Sequence, residues 1–541
     1  MKKIVCLFLI ILVFVGCYKD QSSTRHEPIG SILINAMEDV YNLISFEDVL
    51  VIEPVVTSTD PNDDVDNFEF LWTFYRGDAF RYPPPTIDTI ARTKNLSWPI
   101  MLAPDRYTLS LQVTNPANGY TVFRSATLHV GTVFLSGFYL LKELNGNTEL
   151  DFHSSDGAGN WSSAFNLLQT LHGTPIIGQP TSLGITRSGT GAAPFAWVDP
   201  ETGEGREGKV LVIMGGNDVR IVRLEDMMPI FYNYSSLFFA GAEPAHRPLR
   251  FFNNGLFFGP PGTSFHSLIT EGGFYSLAGR TGNAGVSIAP PGGVSLTGGI
   301  RSIGAFPYLV FFDELHGRLV YFCSQANNVI SLGSANGISP NNITHRLLFM
   351  GTNASGTNEG WSIFKDATDP SRRYLYNLNF SRSGALLAAN APILEIRRIN
   401  AALAPNFNNA NIYGANRMAS NILYGAVDDR LYMFNTGNNT ERRLSPRGMG
   451  AGETITMITH RLGIHNPNNF SDDGFNSVVW NGMLIIATYK NGNYAVYMYQ
   501  LAGGIPNGEP LAILRGQGRV VDMQYNFAGN WPLAWHYDVN L

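Results

Sequence analysis

Apolar and polar residues alternate most regularly between Tyr107 and Val113, where Tyr107, Leu109, Leu111 and Val113 share one face and Thr108, Ser110 and Gln112 the other. That period of two predicts a strand with one buried side. Residues 31–34, 49–52 and 68–72 are predicted as further strands, separated by turn-rich stretches such as Asp60-Pro61-Asn62-Asp63-Asp64. From residue 132 onward the alternation gives way to short, nearly continuous apolar runs. Residues 138–142 turn at Asn145-Gly146-Asn147 and return as 148–152; residues 210–214 turn through Gly215-Gly216-Asn217-Asp218 and return as 219–222. Residues 249–252 are read the same way, turning at Asn253-Asn254-Gly255 into 256–258, and Asn481-Gly482 and Asn491-Gly492 mark two more hairpins. Residues 310–322 can be laid beside 423–434: each is an apolar strand, an acidic turn, then Arg-Leu and an aromatic return strand. No stretch has the length and period of an amphipathic helix.

Hairpins repeating over some 400 residues must hide their edges, by closure or by radial repetition. The expectation is an all-β chain: a sandwich over 30–131, with Trp72 on an earlier strand and Tyr107 opening a later one as in immunoglobulin-like domains, and a β-propeller of about seven blades over 132–541.

The first residues change the picture of where the chain resides. Lys2 and Lys3 precede an apolar run from 4 to 15 closed by Gly16-Cys17, the plan of a secretory signal and too short to span a bilayer. Phe14-Val15-Gly16-Cys17 resembles a bacterial lipoprotein signal, with Phe14 where Leu is commoner. The resemblance implies a signal peptide over 1–16, lipid on Cys17, a polar tether over 17–29 and attachment to a membrane by fatty chains. An ordinary secreted protein in which Cys17 is incidental is the alternative.

Charge excludes one class of partner. The chain has 37 Lys and Arg against 43 Asp and Glu; removing 1–16 takes away two lysines and no acid, so the balance moves from -6 to about -8. A nucleic-acid partner would want a basic face. Of three cysteines, Cys6 leaves with the signal and Cys17 takes lipid, so Cys323 has no partner for a disulfide within the chain.

Candidate chemistry is sparse. Asp60, Asn62 and Asp64 have alternate acidic spacing, but Val65 and Leu71 stand where a calcium loop needs Gly and Glu, and no metal or cofactor site is read. Ser362 and Lys365 match a Ser-x-x-Lys pair without its companion motifs. Asp313-Glu314, Asp428-Asp429 and Asp472-Asp473 could be paired carboxylates, yet each sits at a turn, where Asp is favoured for local hydrogen bonding. His460 and His465 lack a third ligand in view. No catalytic residue is assigned. Aromatic density points to binding instead: Phe231, Tyr232, Tyr234, Phe251 and Phe252 cluster beside the Gly/Pro-rich 259–262, as a platform for sugars or peptide side chains or as filling between blades. Trp480, Trp531 and Trp535 carry the same two readings.

Cys17-Tyr18-Lys19-Asp20, the segments 71–75 and 107–113, and Gly137-Phe138-Tyr139-Leu140-Leu141 followed by 146–150 together resemble the PKD-like family of Bacteroidetes lipoproteins. The resemblance implies an outer-membrane protein at the cell surface, an accessory to a SusC/SusD-type uptake pair that captures a glycan or peptide nutrient. It supplies no catalytic residues. A propeller hydrolase or lyase, with acids converging on an axial channel, and a structural adaptor docking on a transporter are the other two readings.

Overall fold

The computed structural model describes residues 30–526 except 46–47, 77–86, 103–104, 156–159, 187–194, 200–202, 240, 254–265, 279–280, 286, 288–291, 302–307, 324–327, 331–333, 335–336, 353–358, 380–391, 462–463, 466–477 and 480–481. The chain divides into two compact units, one ending at Thr132 and one beginning at Val133. Cys17, the tether, Trp480, Trp531 and Trp535 lie outside the described residues. Among the described residues no helix is long and apolar enough to cross a membrane.

The first unit is a β-sandwich. Its main sheet runs in the order Val40–Ile44, Thr121–Gly131, Asp105–Thr114, Glu69–Arg76 and Asp88–Ala91, with the first pair parallel. Two further pairs, Ile32–Asn35 with Val55–Ser58 and Val49–Ile52 with Leu96–Pro99, supply the rest of the core. The alternation read from the sequence is the burial pattern: Tyr107, Leu109, Leu111 and Val113 all point inward. Trp72 sits across from Leu111, fully buried, with its indole N–H donating to the Thr93 carbonyl at 3.0 Å, so the one polar atom of the ring is satisfied.

Among the described residues the second unit contains seven successive antiparallel sheets of three or more strands, here I to VII, and two two-stranded ones, Phe195–Val198 with Gly205–Gly208 and Ile464–His465 with Val478–Val479. Sheet I joins Arg519–Asn526, from the end of the chain, to Gly137–Leu144, Asn147–Ser155 and Trp161–Ala164. Sheet II is Pro180–Ile185, Val210–Gly215, Asp218–Arg223 and Pro229–Phe231; sheet III is Pro248–Asn253, His266–Thr270 and Gly273–Leu277. Sheet IV is Leu296–Arg301, Tyr308–Asp313, Arg318–Cys323 and Asn328–Ile330, and sheet V is Arg346–Thr352, Glu359–Lys365, Arg373–Asn379 and Ile393–Arg398. Sheet VI is Ile412–Ala415, Ile422–Val427, Arg430–Asn435 and Thr440–Leu444; sheet VII is Thr454–Arg461, Met483–Lys490, Asn493–Ala502 and Ala512–Gln517.

The continuous apolar runs have a direct cause. Each sheet buries both faces, so a middle strand places apolar side chains on both of its sides. In sheet IV, Leu309 and Phe311 pack toward sheet III, while Val310 and Phe312 pack toward sheet V. In sheet II, Leu211 and Ile213 face sheet I, and Val210, Val212 and Met214 face sheet III. The same holds between V and VI and between VI and VII. Sheet VII then packs on sheet I, through Met483, Ile485 and Val496 against Phe138, Leu140 and Met523.

The innermost strand of each sheet lies against the innermost strand of the next, and Thr454–Arg461 lies against Arg519–Asn526. In six of the seven sheets that strand carries an irregularity against its neighbour, at Thr181, Leu249, Gly298-Gly299, Leu348, Thr456 and Val521. An extra residue bends a strand and re-aims its side chains, and here it does so at the same place in each repeat. Gly414, in sheet VI, the one without such an irregularity, has no room for a side chain: a Cβ there would stand 2.7 Å from Ile458 Cγ2 and 2.9 Å from its carbonyl oxygen.

Several hairpins form as read. Asn145-Gly146 and Asn491-Gly492 have the two positive φ values, 52° and 80°, then 51° and 82°, that a tight two-residue hairpin turn requires. Pro248–Asn253 pairs with His266–Thr270; Asn254, Gly255 and the return read at 256–258 lie outside the described residues. One hairpin does not form as read. Gly482 leads from Val478–Val479 into Met483–Lys490, but those strands pair with Ile464–His465 and Thr454–Arg461 respectively.

Candidate functional site

Four of the five aromatic candidates are packed into the molecule. Phe231, Tyr234 and Phe251 belong to the core between sheets II and III, and Phe252 to the core between III and IV. Phe251 stacks on the His266 ring at 5.8 Å, and Phe252 meets Phe311 edge-on at 6.0 Å. Tyr232 is 38% exposed, but the Arg220 guanidinium covers its ring at 4.1 Å and its hydroxyl is paired with Thr174 Oγ1 at 2.7 Å. These residues fill the wedge between sheets and form no open platform. Local aromatic density cannot distinguish the two, because a strand buried on both faces needs the same side chains.

The acidic pairs are likewise structural where they are described. Asp313 is fully buried and accepts from Ser295 N, Leu315 N, His316 Nδ1 and Arg318 Nε at 2.7–3.1 Å. Burial acts to raise its pKa, but the Ser295 amide, His316 and Arg318 outweigh it and hold the carboxyl below its ordinary value. Asp428 and Asp429 form the tip of the hairpin between Ile422–Val427 and Arg430–Asn435. Asp472 and Asp473 lie outside the described residues. Ser362 and Lys365 are on one strand, three residues apart, and so point to opposite faces; they cannot act as a pair. Asp60 accepts from Asn62 N and Nδ2, and Asp64 from Asp66 N and Asn67 Nδ2, the local turn bonding of Asx residues. Among the described residues no group of three or more His, Cys, Asp or Glu could hold a metal ion.

A cavity of about 200 Å³ does collect one side of the second unit's chemistry. Its wall takes Thr181 from sheet II, Arg250 from III, Gly299 from IV and Phe349 to Thr352 from V. Gly414, Ala415 and the adjacent Arg417 come from VI, Met457 to Arg461 from VII, and Val521 with Asp522 from I. All seven innermost strands therefore reach the same space, and three of the bulged positions, Thr181, Gly299 and Val521, are in its wall.

The charged groups in that wall are Arg250, Arg417, Arg461 and Asp522. Asp522 is largely buried and already engaged: Oδ2 accepts from Leu183 N and Oδ1 from Met523 N, both at 2.8 Å. Arg461, 7% exposed, donates to the Met523 carbonyl at 2.9 Å and stands 3.9 Å from Asp522. His460 is buried, and its Nδ1 accepts the Arg417 amide at 2.9 Å, which leaves the ring proton of a neutral imidazole on Nε2. Of these residues, sequence reading singled out His460 alone. The others are separated by tens to hundreds of residues, and only closure of the sheets on one another brings them together.

The PKD-like family model matches residues 17–180. This stretch belongs to the PKD-like family. It includes the sandwich and the first two hairpin strands of sheet I, Gly137–Leu144 and Asn147–Ser155. Among solved structures, the chain is similar to a quinonprotein alcohol dehydrogenase-like protein from Bacteroides thetaiotaomicron, at 12% identity over 92% of this chain and 99% of that one, with a TM-score of 0.44. It is also similar to the extracellular domain of a one-component system from the same organism, at 12% identity over 88% and 86% of the two chains and a TM-score of 0.28. The WD40 domain of SCAP from fission yeast matches at 11% identity, over 53% of this chain and 60% of that one, with a TM-score of 0.27. No curated protein matches the sequence.

Proposed function

We propose that the second unit of this PKD-like protein is a seven-bladed β-propeller that captures a nutrient, a glycan or a peptide, at its central cavity without cleaving it. The propeller reading is supported by the cyclic order of the inter-sheet cores and by the last strand, Arg519–Asn526, completing the sheet begun by Gly137–Leu144. The absence of turnover is supported by the cavity wall. Hydrolysis or elimination at an axial channel needs at least two groups to move protons or attack, typically two carboxylates a few ångströms apart. Among the described residues the wall offers one, Asp522, and its two oxygens are held by backbone amides.

In this reading the chain is an outer-membrane lipoprotein on the cell surface, anchored through Cys17, and the captured nutrient passes to a SusC/SusD-type transporter. The anchor rests on the signal-like first 17 residues and the partner on the family resemblance. Incubation of the protein with glycan and peptide pools, reading melting temperature and product release together, tests the function. Stabilisation with intact ligand is expected; released product would overturn the reading. Cys17→Ala is expected to move the protein from the membrane to the soluble fraction, and unchanged membrane association would remove the anchor.

A further inference from the structure

The cavity's chemistry points to a narrower class of ligand. We infer that it holds a carboxylate, the acidic group of a small molecule or of the terminal unit of a larger one, with Arg250 as the group that binds it. This rests on the capture reading and adds the charge of what is captured.

Of the three arginines in the cavity wall, Arg250 is the most exposed. It lines the cavity from the innermost strand of sheet III, next to the bulge at Leu249, and its side chain is 36% exposed. Its nearest acidic neighbour is Asp522, at 4.0 Å, which is beyond hydrogen-bond length. The Asp522 oxygens accept from Leu183 N and Met523 N, so this carboxylate is positioned by the backbone. A planar guanidinium with five donors matches a carboxylate in a two-bond fork. Arg417 and Arg461, 5% and 6% exposed, stand in the same wall, so three guanidinium groups outnumber the one carboxylate, Asp522, where water is largely excluded, which favours an anion. An uncharged sugar would gain the guanidinium's hydrogen bonds but none of the attraction between opposite charges.

Size limits the ligand as well. Pockets for drug-sized ligands measure roughly 300–1,000 Å³, whereas this cavity measures about 200 Å³. A single sugar or amino-acid unit fits that scale, and an internal stretch of polymer does not.

The test is calorimetric titration of the full chain with galacturonate, with galactose as its uncharged counterpart and glutamate as a carboxylate from peptide chemistry. Galacturonate or glutamate is expected to bind at least about tenfold more tightly than galactose. That preference is expected to weaken as salt is raised and to fall about tenfold in Arg250→Ala, with partial recovery in Arg250→Lys. The melting temperature of Arg250→Ala, measured alongside, separates lost binding from lost folding. Which carboxylate wins distinguishes an acidic glycan from an acidic peptide. Galactose binding as well as galacturonate, or affinity unchanged in Arg250→Ala, would overturn the inference while leaving the capture reading in place. No saturable binding of either carboxylate would overturn it too; the capture reading would then stand or fall on the glycan and peptide pools.

Discussion

Two junctions between neighbouring sheets of the second unit solve one problem with different chemistry. Between sheets III and IV the core among the described residues is built of apolar side chains: Phe274 stacks on Phe322 at 4.5 Å and meets Phe311 at 5.6 Å, with Leu249, Ile269 and Val320 around them. Between sheets VII and I, where the two ends of the unit meet, a polar network is buried inside the apolar core. Lys142 and Asp151, both fully buried, pair at 2.7 Å; Tyr494 of sheet VII donates to Asp151 at 2.7 Å and lies 2.9 Å from His153 Nε2; His153 Nδ1 pairs with Ser163 at 2.7 Å. The Asn166 amide completes Asp151 at 2.8 Å.

The difference follows from what each junction must specify. Sheets III and IV are consecutive in the chain and have little choice of neighbour. The hairpin of sheet I, Gly137–Leu144 with Asn147–Ser155, must find Met483–Lys490, Asn493–Ala502 and Arg519–Asn526, more than 300 residues away in the chain, and any apolar face would satisfy an apolar seam. A buried ion pair adds little net stability because desolvation offsets its attraction, but a neighbour without Tyr494 would leave Asp151 and His153 Nε2 short of a hydrogen-bond partner in the core. The network therefore selects the correct closure more than it strengthens it.

Breaking each junction should show this. Asp151→Ala is expected to cost about 3–5 kcal/mol, since Lys142 is left charged and buried. Phe274→Ala is expected to cost a similar ~3–5 kcal/mol through loss of packing and a residual cavity. Urea unfolding measures both. The junctions then separate on repair: Lys142→Met with Asp151→Leu is expected to recover most of the Asp151→Ala loss, leaving it within about 1–2 kcal/mol of the parent. If the double variant is no better than the single, the pair is itself a main source of stability.

Acid should act on one junction only. His153 is kept neutral, its pKa pushed down to about 4, chiefly by burial, with Asp151 opposing and Lys142 assisting. An unfolded imidazole titrates near 6.5, so the unfolded chain takes up the proton first. The seam is at full strength above about pH 6.5 and weakens as pH falls toward 4, by up to ~3 kcal/mol. His153→Gln is expected to flatten that slope, whereas Phe274→Leu leaves it unchanged. The smallest effect is expected at the cavity, where Arg250→Ala changes stability by no more than about 0.5 kcal/mol while removing the proposed carboxylate contact.

Much of the fold was legible because it is local. The alternation from Tyr107 to Val113, the turn at Asn491-Gly492 and the paired runs around Asp313 and Asp428 each carry their structure within a dozen residues. The candidate site was not legible. Arg250, Arg461 and Asp522 share a wall only because Arg519–Asn526 returns to pair with Gly137–Leu144, and nothing near any of them in the chain announces it. Aromatic clusters at 231–234 and 251–252 misled for the opposite reason: their local signal is strong, and it reports packing between sheets.

The cavity, the seam and the function proposed for them all depend on ring closure, and hydrogen exchange measures closure directly. Backbone amides of Arg519–Asn526 are expected to exchange as slowly as those of Gly137–Leu144, and Asp151→Ala to speed both together with Thr454–Arg461, while Leu296–Arg301 is little affected. Rapid exchange across Arg519–Asn526 in the parent protein, with Gly137–Leu144 still protected, would show that the last strand does not close the ring.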